Sequence, residues 1–219
     1  MVRKQVLVDT VFLNKLSQYG KEIDTFKRLI DELDFKPVVH PYVARNELDM
    51  YPFFTKLVDE GYIEVIEYDA FLSDDEDKKY YESLFFDVHD EIREHLEAIG
   101  GKKQLPKLTI PNHQSVFTYR KASMSLGDVH MILMAFFLQI PVILTEDSDL
   151  ELLRSITRRK MSSSTYELDI IDAVDVLIRV AQKKDNSFTK AELTSIAKKI
   201  GERSRQSDIK QAWNIVHDG

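Results

Sequence analysis

The sequence contains no cysteine among its 219 residues. Without thiols, neither a disulfide framework nor a zinc site with thiolate ligands can form. The absence also fits a reducing compartment, so we expect a cytoplasmic protein. The longest apolar run, Met131 to Leu144, is interrupted by Gln139 and Pro141 and is too short to span a bilayer. The acid that follows the short apolar stretch at the N-terminus argues against a secretory signal.

Several sequence motifs of catalysis are also missing. There is no GxxxxGK(S/T) phosphate loop and no GxSxG nucleophile turn. His89 and His95 are six residues apart, which is not the four-residue spacing of the HExxH zinc site. Asp9 is followed by Val11 instead of the second acid that a DxD phosphatase would need. These absences leave carboxylates as the main candidates for chemistry.

The charge is negative overall but unevenly distributed. The formal net charge of −7 argues against a general nucleic-acid binder. Residues 151–219 nevertheless hold 13 Lys or Arg against 10 Asp or Glu, whereas residues 1–150 hold 17 against 27. A local basic face can therefore exist on an acidic protein.

The order of elements predicts an α/β fold with a mostly parallel central sheet. QVLVD (residues 5–9), IEVIEY (63–68) and VILT (142–145) have the pattern of strands, and helical spacing separates them. Such alternation is typical of parallel sheets covered by helices. Residues 166–171 fit either a last strand or the start of a helix. We expect a domain over residues 1–160, with a charged helical insertion at about 70–104, and a mainly helical C-terminal extension over 161–219.

Acidic residues stand where strands end and helices begin. Asp9 follows the first strand, Asp128 follows Gly127 at a helix start, and Asp147 and Asp149 follow the strand PVILT. Taken singly, each fits a helix cap, which is the more common role. In open parallel sheets, however, ligands bind outside the carboxyl ends of the strands. Several carboxylates without cysteine or converging histidines predict an oxygen-only site that suits Mg²⁺ or Mn²⁺.

The motifs VLVDT, NEL, SLGDVHMILMA and PVILTEDSDL, in this order, resemble those of the PIN-domain nucleases, a family of metal-dependent ribonucleases. The resemblance implies an α/β/α sandwich and a catalytic set of Asp9, Glu47, Asp128 and Asp147. It also implies that Asp9, Asp128, Asp147 and the neighbouring Asp149 ligate Mg²⁺ or Mn²⁺. Glu47 lies in a mixed segment, where a surface carboxylate beside Arg45 is the simpler interpretation.

The resemblance covers about residues 4–153 and leads to a metal-dependent endonuclease, with single-stranded RNA as the expected substrate and DNA as a second possibility. Family members commonly carry Asn two positions after the first acid, where this chain has Val11. This departure motivates an alternative, a PIN-like binding module with little or no activity. A phosphatase of another α/β family would use the same metal chemistry on small phosphoesters.

The residues expected to bind the substrate are basic and follow the last acidic motif directly. An acidic pocket repels phosphates unless cations guide them, and the candidates are Arg154, Arg158, Arg159 and Lys160. A solvated helix face is the alternative interpretation. Thr145 could hydrogen-bond an acid or a water on the metal, although an ordinary Thr at a strand end is equally compatible. Because the family includes toxins of toxin–antitoxin pairs, the resemblance makes an antitoxin-like protein or a second copy of the chain a candidate protein partner. No membrane is expected.

Overall fold

The computed structural model describes residues 3–99, 105–121, 124–147, 152, 155–156, 158–159 and 166–217. The strands are β1 (Lys4–Val8), β2 (Phe35–Val39), β3 (Glu64–Val65), β4 (Val142–Leu144) and β5 (Asp169–Ile171). The helices of this part of the chain are α1 (Thr10–Ser17), α2 (Ile23–Glu32), α3 (Pro41–Val43), α4 (Pro52–Asp59), α5 (Asp75–Ala98), α6 (Leu126–Leu138), α7 (Ala173–Ala181), α8 (Lys190–Lys199) and α9 (Gln206–His217). A π-helix (Ala44–Leu48) continues α3, and short 3-10 turns occupy Tyr68–Ala70 and Arg203–Arg205.

The five strands form one sheet in the order β3-β2-β1-β4-β5, and every neighbouring pair is parallel. The chain winds outward from β1 to β3 and then returns to the other side of β1. This reversal places the topological switch point between β1 and β4. Clefts at such points are the usual ligand sites of open parallel sheets. The fold therefore positions whatever follows β1 and β4 for binding.

The sheet is buried because its strands are apolar on both faces. Val6, Leu7 and Val8 of β1 have no exposed surface, and the three residues of β4 are buried as well. Helices α1, α2 and α7 pack with one another, while α5 packs on α6 and α6 on β4. Because parallel strands require crossover connections that cover both faces, these two groups form the outer layers of an α/β/α arrangement. The predicted α/β class and parallel sheet are confirmed.

The charged segment that was predicted as an insertion contains a long helix with one apolar stripe. Helix α5 begins at an Asp74 cap whose side chain accepts hydrogen bonds from the backbone of Glu76 and Asp77. Its buried residues recur at helical spacing and face α6. They are Tyr81, Phe85, Val88, His89, Ile92 and Leu96. The segment is therefore integrated into the core along one face.

Strand β5 lies within the predicted C-terminal extension and pairs with β4 in the central sheet. The sheet thus crosses the predicted boundary at residue 160. Beyond β5, helices α7, α8 and α9 pack on one another, and α7 also contacts α1 and α2. Among the described helices, none combines the length and the apolar character needed to cross a bilayer.

Candidate metal and phosphate site

Asp9 caps α1 and also faces the switch point. Its Oδ1 accepts a hydrogen bond from the Thr10 N–H at 2.6 Å, and its Oδ2 accepts one from the Val11 N–H at 3.3 Å. The Thr145 hydroxyl donates to the same Oδ2 at 3.1 Å. The cap role expected of a single Asp is therefore present, but the carboxyl is buried and lines a cavity. Capping and ligand binding are compatible in this geometry.

Thr145 links the ends of β1 and β4. Its side chain is fully buried, donates to Asp9, and accepts a hydrogen bond from the Asp147 N–H at 3.2 Å. One hydroxyl thus fixes the position of Asp9 and the turn that carries Asp147.

Glu47 reaches the same cavity from the π-helix. Wider helical turns of this kind often occur at functional sites, because they re-aim a side chain. The Thr10 hydroxyl donates to Glu47 Oε2 at 2.8 Å. A Cβ atom built on Gly127 would lie 2.5 Å from Glu47 Oε1, so any larger residue at this position would displace the end of the Glu47 side chain.

Asp128 lies in the first turn of α6, beside Gly127, and completes the group. Burial raises the pKa of Asp128 well above its usual range, and the charges of Asp147, Asp9 and Glu47 add to this effect, as does a hydrogen bond with the Asp147 carboxyl. These electrostatic contacts identify the four acids as close neighbours. Like charges in a confined site disfavour simultaneous ionisation.

The carboxyl groups of Asp9 and Glu47 also have raised pKa values. Burial, followed by the charge of Glu47, raises the pKa of Asp9 to about 7, against hydrogen bonds from Thr10, Thr145 and Val11 that lower it. Burial also raises the pKa of Glu47, and the hydrogen bond from Thr10 opposes this. Perturbed carboxyls in a cleft are candidates for a functional site, since a bound cation would relieve their repulsion.

The four acids line a cavity of about 440 Å³. Two cations stand at its wall, Arg120 and Lys121, from the segment that precedes α6. Both are exposed, and neither forms an ion pair with another residue that the structure describes. Val11 also lines the cavity and is 55% exposed. The arrangement combines an acidic floor, suited to a cation, with basic groups that suit an anion at its wall.

In the described part of the chain, no three His, Asp or Glu side chains are already arranged to surround a metal ion. The donor set still fits a hard divalent cation in chemical type, because every donor is a carboxylate oxygen. Asp149 lies outside the described residues, so its predicted role as a ligand stays a prediction.

The predicted substrate-binding residues are not brought to this cavity where they can be located. Arg158 lines a separate cavity with Lys4, Pro141 and Asp169. This cavity lies where the strands begin, which is the end of the sheet opposite to the acidic cavity. Arg159 is paired with Glu91 of α5. Arg154 and Lys160 lie outside the described residues. Sequence reasoning missed Arg120 and Lys121, whose only signal is a basic pair shortly before the motif SLGD.

A second group missed from the sequence supports the turn that carries Asp147. Glu146 accepts hydrogen bonds from Lys15 and from the Ala173 N–H, the latter at 2.6 Å. Lys15 also binds Glu202, at 2.7 Å, in the turn after α8. The C-terminal segment is thereby connected to the cavity through one lysine. A Glu adjacent to the acidic motif was the only signal in the sequence.

No family model, curated protein or solved structure matches this chain.

Proposed function

We propose that this protein is a metal-dependent endonuclease of the PIN type that hydrolyses phosphodiester bonds, with single-stranded RNA as substrate. The observation that supports this most is the convergence of Asp9, Glu47, Asp128 and Asp147, from four separate segments, on one cavity. The cavity lies at the switch point of a parallel sheet, where ligands commonly bind. The motif resemblance supplies the reaction type.

In this proposal, Asp9, Asp128 and Asp147 hold Mg²⁺ or Mn²⁺, with Glu47 beside them. The carboxyls must close around the ion, since three of them are not yet arranged to surround it. When bound, the metal supplies Lewis acidity and lowers the pKa of an attacking water. The hydrogen bonds from Thr10 and Thr145 hold Glu47 and Asp9 in fixed orientations. Such support limits the rearrangement that binding requires.

The remaining residues of the cavity have separate tasks. Glu47 has a raised pKa and faces the cavity, which suits it to accept a proton from the attacking water. Arg120 and Lys121 would neutralise phosphate oxygens of the substrate and so offset repulsion by the acids. Both tasks depend on a phosphate placed between the acids and the basic wall.

A PIN-like binding module with little activity is the second candidate. Two observations favour it: the exposed Val11 at the cavity, where the family commonly has Asn, and the absence of three preassembled ligands within the described residues. An antitoxin-like protein or a second copy of the chain as partner stays a prediction, as does a cytoplasmic location.

Cleavage assays with purified protein separate these possibilities. We expect Mg²⁺ or Mn²⁺ to support cleavage of single-stranded RNA and EDTA to abolish it. Asp128→Asn should lower the rate at least about a hundredfold, because the metal contributes several kcal/mol to transition-state stabilisation. The matched control is Asp87→Asn on the exposed side of α5. Full activity in EDTA would contradict the proposal, binding without cleavage would support the module, and cleavage of a small phosphoester alone would identify a phosphatase.

A further inference from the structure

Two further cavities continue from the acidic cavity along the same surface. The nearer one, of about 160 Å³, shares Tyr42, Asn46 and Arg120 with it. The farther one, of about 380 Å³, shares Arg45, Tyr68 and Phe117 with the nearer one. The three cavities are adjacent, since each shares wall residues with the next, and we call them together the groove. It runs from the acids between the π-helix and the segment that ends at Lys121, and it reaches Lys78 at the start of α5.

The groove combines cations with aromatic rings. Arg120 stands between the acidic cavity and the nearer one, and Arg45 stands between the nearer and the farther one. The rings of Phe117 and Tyr68 are half-buried, with centroids 4.9 Å apart and planes at 84°. Guanidinium groups bind phosphates, and partly exposed rings stack on bases. This composition is typical of surfaces that bind single-stranded nucleic acid.

The acids near the groove do not cancel its positive charge. Arg45 is paired with Glu67, but both side chains are more than half exposed, and such a pair contributes little stability. Lys78 is 3.3 Å from Asp69, which is 88% exposed. Phosphate can compete for cations held this weakly. Arg120 is paired with no other described residue and is available without any exchange.

We propose that this groove is a nucleotide-binding subsite, in which Arg45 and Arg120 bind backbone phosphates and Phe117 stacks on a base of the strand that enters the acidic cavity, with the Tyr68 ring at 84° to it forming the side wall. The proposal rests on the proposed nuclease function for the identity of the ligand, a single-stranded nucleic acid. It adds a role for the segment between α5 and α6, which contributes Phe117 and Arg120. A duplex would present its bases in stacked pairs and could not place one on the Phe117 ring.

Binding measurements that do not depend on cleavage test the subsite. The parent is Asp128→Asn, which prevents cleavage, and the probe is a fluorescein-labelled single-stranded RNA of mixed sequence, followed by anisotropy in Mg²⁺ over a series of salt concentrations. Phe117→Leu keeps an apolar side chain against Tyr81 while removing the ring face. Arg120→Ala removes the unpaired cation. Lys210→Ala, at an exposed position of α9, is the matched control for charge.

We expect Phe117→Leu to weaken binding of the single strand by about fivefold or more, with an unchanged salt dependence. Arg120→Ala should weaken binding and reduce the slope of log K against log salt by about 0.7, the value for one phosphate contact on a single strand. Lys210→Ala should leave both the affinity and the salt slope within about twofold of the parent values, a change too small for a lost contact.

Three results would overturn the subsite: no binding by the parent, affinities of Phe117→Leu and Arg120→Ala equal to that of the parent, or an equal loss for Phe117→Leu with the single strand and with a duplex of the same sequence. Failure of the nuclease proposal is visible separately. It would appear as a wild-type protein that binds the single strand in this groove but does not cleave it with Mg²⁺ or Mn²⁺.

Discussion

The hydroxyl of Thr10 donates a hydrogen bond to Glu47 Oε2 at 2.8 Å, across 37 positions of sequence. Thr10 also donates its backbone N–H to Asp9. One residue at the start of α1 therefore orients two acids of the cavity, one through its backbone and one through its side chain. This contact explains how the π-helix, which is remote from the strand ends in sequence, contributes a carboxylate to them.

Removal of this hydroxyl should impair catalysis more than folding. In Thr10→Val, Glu47 loses the hydrogen bond that lowers its pKa, so the pKa of Glu47 should rise further. We expect a loss of about tenfold in the rate of RNA cleavage, since a hydrogen bond to a charged group contributes about 1.5–3 kcal/mol. Thr10→Ser keeps the hydroxyl and should retain most of the rate. Equal cleavage rates for Thr10→Val and Thr10→Ser would exclude an orienting role of the Thr10 hydroxyl.

Gly127 allows a second test of the position of Glu47. In Gly127→Ala, the new methyl group would lie 2.5 Å from Glu47 Oε1, so the flexible end of Glu47 must move. Because alanine favours helix by up to about 1 kcal/mol over glycine, the melting temperature should hold or rise while the cleavage rate falls. Adding Glu47→Asp, which shortens the side chain, should cause less loss in Gly127→Ala than in the wild type. If the losses in cleavage rate were additive, Gly127 and Glu47 would act independently of each other.

The raised pKa values predict how stability depends on pH without metal. A carboxyl with a raised pKa binds more protons in the folded state than in the unfolded state. Its contribution to the stability of the fold is therefore fully present below the pKa of the unfolded state and is lost as pH rises toward the pKa of the folded state. For Asp9, this loss runs from about pH 3.8 to about pH 7. Asp147→Asn removes one of the charges that raise the pKa of Asp128.

In EDTA, Asp147→Asn should thus have a higher melting temperature than the wild type, and its free energy of unfolding should be about 1 kcal/mol larger at neutral pH. This difference in stability should narrow toward pH 4. Mg²⁺ should stabilise the wild type more than the variant. Thermal melts over this pH range, with EDTA and with Mg²⁺, provide the measurement. If the acids were only helix caps, Asn would replace Asp at little cost and Mg²⁺ would change nothing.

Lys15 should connect the C-terminal segment to activity. Lys15→Met leaves the half-buried Glu146 without its cation, and a loss of about 1–3 kcal/mol in the free energy of unfolding is expected. The cleavage rate should fall as well, because Glu146 directly precedes Asp147. Glu202→Gln, which removes only the outer partner of Lys15, is the milder comparison and should affect both quantities less. Unchanged cleavage by folded Lys15→Met would limit this network to stability.

Much of the fold could be predicted because apolar periodicity is a local signal. Strand β4, predicted over residues 142–145, covers Val142–Leu144 and so ends one residue before the predicted end. Strand β2 is not among the strands predicted from the sequence, because its Pro37 lacks the N–H of a strand. It is nevertheless an inner strand, between β1 and β3, since burial against helices outweighs one missing donor. Strand β5 is only three residues long and could not be distinguished from a helix start.

The site was predictable where residues follow strands, and less so elsewhere. Asp9 and Asp147 meet because the carboxyl ends of neighbouring parallel strands β1 and β4 coincide. Arg120 comes from a segment without apolar periodicity, so its position depends on tertiary packing that no local pattern encodes. Arg158, which was expected at the cavity, shows the limit of reasoning from proximity in sequence. Arg158 is near the acidic motif in sequence, yet it lies at the opposite edge of the sheet.

Binding of Mn²⁺ tests the central claim most directly, because it requires no knowledge of the substrate. Free Mn²⁺ can be followed by electron paramagnetic resonance while it is titrated against the wild type, Asp128→Asn and the control Asp87→Asn. We predict saturable binding by the wild type and the control, competition by Mg²⁺, and loss of this binding in Asp128→Asn. Equal binding by all three proteins, or none by the wild type, would contradict a metal site formed by these carboxylates.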